Sequence, residues 1–189
     1  MRHKKRQHKT DFATYIILLA NNCYDAETIE KVGKLPRPDK LCGWDVPENL
    51  QDLTMGELGD IMYCGDDIMP IVKAVCHADE PQKVMLEDAT KVLGFLNFVK
   101  AEMERIGHLF EQTSIQPTPQ ESKAGIDSLK FGFFGTLDWY ARRMGYKDQN
   151  EVNEVKWVRV WQCAKQDAEK AMFERRLSKV YQEEQRQRR

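Results

Sequence analysis

The sequence sets a thiol beside an imidazole at one place, Cys76-His77. A nucleophile–base pair needs its two side chains turned toward each other, and consecutive helical residues point about 100° apart. The pair therefore reads as a structural cysteine next to a surface histidine, which His108 could join only through tertiary contacts. The five cysteines (Cys23, Cys42, Cys64, Cys76, Cys163) are scattered without a CxxC pair. That spacing fits free thiols in a reducing compartment better than a disulfide framework or a tetrahedral zinc site. Asp66-Asp67 has the composition of a metal or acid–base pair, but its place just before an apolar run predicts helix capping. Gly132 and Gly135, within Phe131-Gly-Phe-Phe-Gly-Thr136, lack the Lys-Ser/Thr ending of a phosphate loop. These residues predict no catalytic residue, no metal ligand and no cofactor, hence a protein that is not an enzyme.

The remaining concentration of recognition chemistry is aromatic. Phe133, Phe134, Leu137 and Tyr140 stand on one predicted helix, and Trp157 and Trp161 share a face, four apart, on the next. Such a cluster forms an interhelical core, and its outer surface can serve as a docking site. Phe133, Leu137, Trp157 and Trp161 are therefore the candidate partner-binding residues.

The element that organises these helices is a run from Met85 to Phe110. Met85, Ala89, Val92, Leu96, Val99, Met103, Ile106 and Phe110 recur at spacings of four and three, which predicts one long helix opened by Pro81 and reaching about Gln112. Thr54-Met-Gly-Glu57 predicts a capping box, with Leu53 and Leu58 as its hydrophobic staple and a helix ending near Cys64-Gly65. Thr10 to Asn22 is expected to carry Phe12, Ile16 and Leu19 inward. Asp25 is expected to cap a helix stopped at Gly33. The stretch Leu35 to Pro47 contains three prolines and reads as an extended connector. Ile126 to Met144, closed by Gly145, and a helix running from near a second capping box at Asp148–Glu151 almost to the C-terminus complete the chain. That last helix is too long for a bundle of this size, so its final turns are expected to project. No internal repeat is visible.

The fold class that follows is all-α, an irregular helical bundle with one long central helix and a long C-terminal helix. The expected organisation is a basic flexible tail over residues 1–9, an N-terminal helical domain over 10–112, a proline-containing linker over 113–122 and a C-terminal helical region over 123–189. With 189 residues, 41% hydrophobic and 31% charged, the composition is that of a soluble globular protein. Tyr15 to Ala20 is too short an apolar run for a signal peptide, which favours cytosolic synthesis. A formal charge of −1 supplies no overall field for nucleic acid, and no aromatic residue interleaves the basic tail to stack bases.

The segment Val46-Pro-Glu-Asn-Leu-Gln-Asp-Leu-Thr-Met-Gly-Glu-Leu-Gly-Asp-Ile61 resembles the "P…L-T-x-G-E…I" opening of small helical proteins from tailed-phage tail modules. Gly125-Ile-Asp127, Gly135-Thr-Leu-Asp-Trp-Tyr-Ala-Arg-Arg-Met-Gly145 and Val155-Lys-Trp-Val-Arg-Val-Trp161 are similar to the same group. Together they resemble tail-assembly chaperone-like proteins over residues 46 to 180. The resemblance implies a non-enzymatic role in virion morphogenesis in the host cell cytoplasm. Its partner would be the tape-measure protein or another tail protein, with self-association allowed and no membrane involved. A virion structural role, as head–tail connector or tail-completion protein, and a DNA-binding regulatory role are the alternatives.

Overall fold

The structure is a computed structural model that describes residues 10–21 and 24–188. The chain is mainly helical: α1 (Phe12–Ala20), α2 (Ala26–Val32), α3 (Met55–Tyr63), α4 (Met69–Cys76), α5 (Ala89–Glu111), α6 (Pro119–Lys123), α7 (Gly132–Met144) and α8 (Trp157–Gln187). Short 3-10 turns cover Pro81–Leu86, Ile126–Ser128 and Gln149–Glu154. Strands β1 (Lys40–Leu41) and β2 (Trp44–Asp45) form a small antiparallel hairpin within the proline-rich connector. The basic tail of residues 1–9 lies outside the described residues.

Two compact units divide the chain. One comprises the chain up to Leu53 together with Asp60–Glu104, and the other Thr54–Gly59 with the chain from Arg105 onward. The boundaries thus fall within α3 and within α5, whereas the sequence suggested the linker at 113–122. That linker contains a helix of its own, because Thr118 and Glu121 build a capping box around Pro119 at the first helical position.

In the first unit, α5 is the central element, with Val92, Phe95 and Val99 buried along it. Its start differs from the expected one. Pro81 opens a 3-10 turn, Glu87 is extended, and the Asp88 carboxylate takes the Thr90 amide at 3.0 Å, so Met85 lies outside the helix. α1 buries Phe12 and Tyr15, whose rings stack 6.2 Å apart, while Ile16 and Leu19 are exposed. Phe12 is thus inward as expected, but Ile16 and Leu19 are not: the Phe12 amide donates to the Glu87 carbonyl at 3.0 Å, which pins the first turn by the face carrying residues 12 and 15. The connector lies flush on α5: Asn97 donates to the Val32 carbonyl at 2.7 Å, and the Leu50 amide donates to the Glu102 carboxylate at 3.0 Å.

In the second unit, the Thr54–Glu57 capping box forms as expected, with bonds of 2.8 and 3.2 Å. Trp157, Tyr140, Val152 and Val160 are its fully buried side chains together with Met55. Gly145 ends α7 in the left-handed region at φ 75°, a conformation that glycine adopts without a Cβ penalty.

One arrangement recurs in both units, displaced by 68 positions from the middle helix to the long helix, as from Val84 to Val152, and by 43 positions at the helix docked on it. Each copy has a middle helix with a fully buried residue, Val72 in α4 and Tyr140 in α7. Each ends that helix on a left-handed residue, His77 or Gly145, four positions before a six-residue 3-10 turn. Val84 and Val152 are wholly buried in those turns, and the amides of Glu87 and Val155 donate back to them at 3.1 and 3.0 Å. An N-capped helix then docks on each turn: Phe12 donates to the Glu87 carbonyl at 3.0 Å, and Met55 to the Val155 carbonyl at 2.8 Å. A long helix follows in each, with Val92 and Val160 at its buried fourth position. The two units thus share one local arrangement of a middle helix, a 3-10 turn, a docked helix and a long helix.

Candidate partner-binding surface

Cys76 and His77 fall at the end of α4, and Asp66-Asp67 just before it. Cys76 is buried at the end of α4, and burial pushes its thiol up to about 12, so it stays protonated and inert near neutrality. His77 is exposed and left-handed at φ 48°. Asp67 accepts the Met69 amide at 2.9 Å, the capping role its position predicted. Among the described residues, no group of three or more His, Cys, Asp or Glu side chains is placed to hold a metal ion.

The four aromatic-cluster residues are all in the second unit, and they are placed differently from one another. Leu137 and Trp157 belong to the interior, at 9% and 1% exposure, and so present no surface to a partner. Phe133 is half-buried, with its ring edge where a Cβ on Gly59 would sit, 3.1 Å away. Trp157 occupies the first turn of α8, where the Phe110 ring (6.2 Å) and the Arg105 guanidinium (5.9 Å) close over it. Trp161, one turn later, is half-buried and lines an open groove.

That groove runs between α8 and the segment 109–116, with a volume of about 470 Å³. Leu109, Ile115, Trp161, Ala168 and Met172 supply its apolar lining. The Trp161 indole N–H donates to the Leu109 carbonyl at 2.9 Å, and the Lys165 ammonium stands 5.7 Å over the ring, so the indole is held at both edge and face. Arg175 fixes the opposite wall by donating to the Gln116 carbonyl at 2.7 Å and to both Glu121 oxygens at 3.2 Å. Glu121 is held below the usual carboxylate range by the Thr118 amide first, then by the Thr118 hydroxyl and Arg175. The groove is therefore apolar inside, rimmed by Lys165, Glu169 and Arg176, and braced at fixed points.

The chain has no match among known protein families, curated proteins or solved structures.

A second exposed feature lies at the start of the aromatic stretch that the sequence singled out. Leu129, Phe131 and Phe134 stand in water around the start of α7. Phe131 sits at the N-cap and Phe134 in the first turn, so neither reaches the interior that Leu137 and Tyr140 fill one to two turns later. The clustering of aromatic residues in the sequence was visible, but not which of them face outward.

Among the described residues, no helix is long and apolar enough to cross a membrane.

Proposed function

We propose that this protein is a non-enzymatic binding protein of phage tail assembly, acting in the host cytoplasm as a chaperone for the tape-measure protein. The observation that carries this reading is the braced apolar groove at Trp161, joined on the same unit by the exposed aromatic residues Phe131 and Phe134. A groove with an apolar lining and a charged rim suits an amphipathic helix presenting its apolar face. Tape-measure proteins expose long apolar helices until the tail tube encloses them, and the sequence resemblance to tail-assembly chaperones points to that partner among all helical ones.

Co-expression with the tape-measure protein, followed by affinity capture, tests the proposal. The wild-type chain is expected to carry the partner, and Trp161→Glu is expected to lose it while keeping native helix content. Failure to capture either the full-length or a truncated tape-measure protein would sink the reading. An assembly chaperone is also expected to be missing from purified mature particles. Finding the chain there by mass spectrometry would make it a structural component instead.

A further inference from the structure

The arrangement shared by the two units draws attention to the exposed end of α8. At the end of α5, within the second unit, the chain uses terminal helical turns to hold another helix. Phe110 meets Trp157, Arg105 covers the same indole, and the Leu109 carbonyl accepts the Trp161 N–H. Shifted by the same 68 positions, Arg105, Leu109 and Phe110 become Phe173, Leu177 and Ser178 of α8. There Phe173 is 55% exposed and Leu177 half-buried, and one turn further Val180 (48%) and Tyr181 (56%) stand in water.

We propose that the C-terminal turns of α8 pair in antiparallel fashion with the same turns of a second copy of this chain. Phe173, Leu177, Val180, Glu184 and Gln187 follow one another at spacings of four and three, which is the seam of a two-helix coiled coil. Arg176 and Glu183 flank the seam on one side, and Glu174, Tyr181 and Arg188 on the other.

Charge selects both the occupant and its direction. In a parallel pair, Glu184 would face its own copy inside the seam, and Glu169 would face Glu174 across the edge, both repulsive. In the antiparallel pair, Leu177 lies opposite Val180 twice about the two-fold axis, and Glu184 falls beside the open end of the seam opposite Phe173. Arg176 of each copy then meets Glu183 of the other, so the symmetric surface is complementary to itself. A seam of about four turns, roughly 25 Å long, is small for a permanent interface, so the dimer is reversible and forms at micromolar concentrations.

Sedimentation equilibrium over a hundredfold concentration range is expected to show monomer and dimer in exchange. Val180→Asp, on an exposed position outside the groove, is expected to leave a folded monomer. Arg176→Glu alone is expected to weaken the dimer at least tenfold, and adding Glu183→Arg to restore it. Spin labels at residue 187 of the wild-type background are expected about 25 Å apart in the antiparallel pair, against about 10 Å in a parallel one. A monomer at every concentration, a dimer that Val180→Asp leaves intact, a charge swap that fails to rescue, or the short distance would each overturn the proposal. Arg176 also lines the groove, so the two surfaces are separated by Trp161→Glu, expected to lose tape-measure capture with dimerisation retained, and by Val180→Asp, expected to do the reverse.

Discussion

Gly94 and Gly107 sit in the same helix with the same intrinsic cost, and their surroundings give them opposite roles. A Cβ on Gly94 would collide with the Pro36 carbonyl oxygen, so the proline connector can lie on α5 only because nothing projects there. Nothing stands within 4 Å of the corresponding point on Gly107. Gly107→Ala is therefore expected to stabilise the fold by about 1 kcal/mol through helix propensity. Gly94→Ala is expected to lose about 1–3 kcal/mol despite the same gain, because connector and helix must separate. Denaturant unfolding of the two variants checks the sign, and equal effects would refute the assigned close approach. Cys76 gives a second residue-scale expectation. Its raised value means that the native state favours the neutral thiol, a contribution present below the unfolded value of about 8.5 and lost as pH rises toward the native one of about 12. Iodoacetamide at pH 8 is expected to spare Cys76 in the native chain and to modify it after unfolding, as mass spectrometry of the peptides will show.

At the scale of elements, polar caps decide where helices begin, and they account for both what the sequence revealed and what it hid. Thr54-Met-Gly-Glu57 was legible because its box precedes an apolar run, and the helix formed there. Thr118-Pro-Gln-Glu121 carries the same signature, but with no apolar run behind it and two prolines nearby it read as linker. The break at Glu87-Asp88 was hidden for the opposite reason: the apolar spacing continues unbroken across it, so periodicity alone places Met85 on the helix. Because Glu121 is held below the usual carboxylate range in the native state, its contribution is fully present above the unfolded value of about 4.3 and lost as pH falls through the lowered native one. Acidification should therefore release α6 and loosen the groove wall that Arg175 braces. Hydrogen exchange at the Glu121 amide, compared between neutral pH and pH near 3 after correction for intrinsic rates, is expected to show that loss of protection. Unchanged protection would show that the carboxylate does not hold the wall.

At the scale of the molecule, the arrangement shared by the two units shows why an all-helical class was readable while the packing was not. Across the 68-position shift, Val84 and Val152 agree, as do Val92 and Val160, but Ala89 becomes Trp157 and Phe95 becomes Cys163. The copies also interleave: α3, the docking helix of the second, precedes α4, the middle helix of the first, so no contiguous period exists for a sequence to show. What is preserved is a set of backbone bonds around one buried valine, and backbone bonds leave little trace in side-chain identity. The candidate surface was hidden in the same way. Trp157 and Trp161 look equivalent as a pair on one helical face, but the start of α8 is where the end of α5 closes down, which buries the first and leaves the second at the groove. If the two valines hold equivalent positions, deleting their methyl groups should cost alike. Val84→Ala and Val152→Ala are each expected to destabilise the fold by about 2 kcal/mol. Each should also raise amide exchange most at the helix docked on its own turn, Phe12 for the first and Met55 for the second. A variant that loses protection at neither docked amide, or one valine tolerated while the other unfolds the chain, would mean that the likeness is geometric and not a shared way of holding the fold.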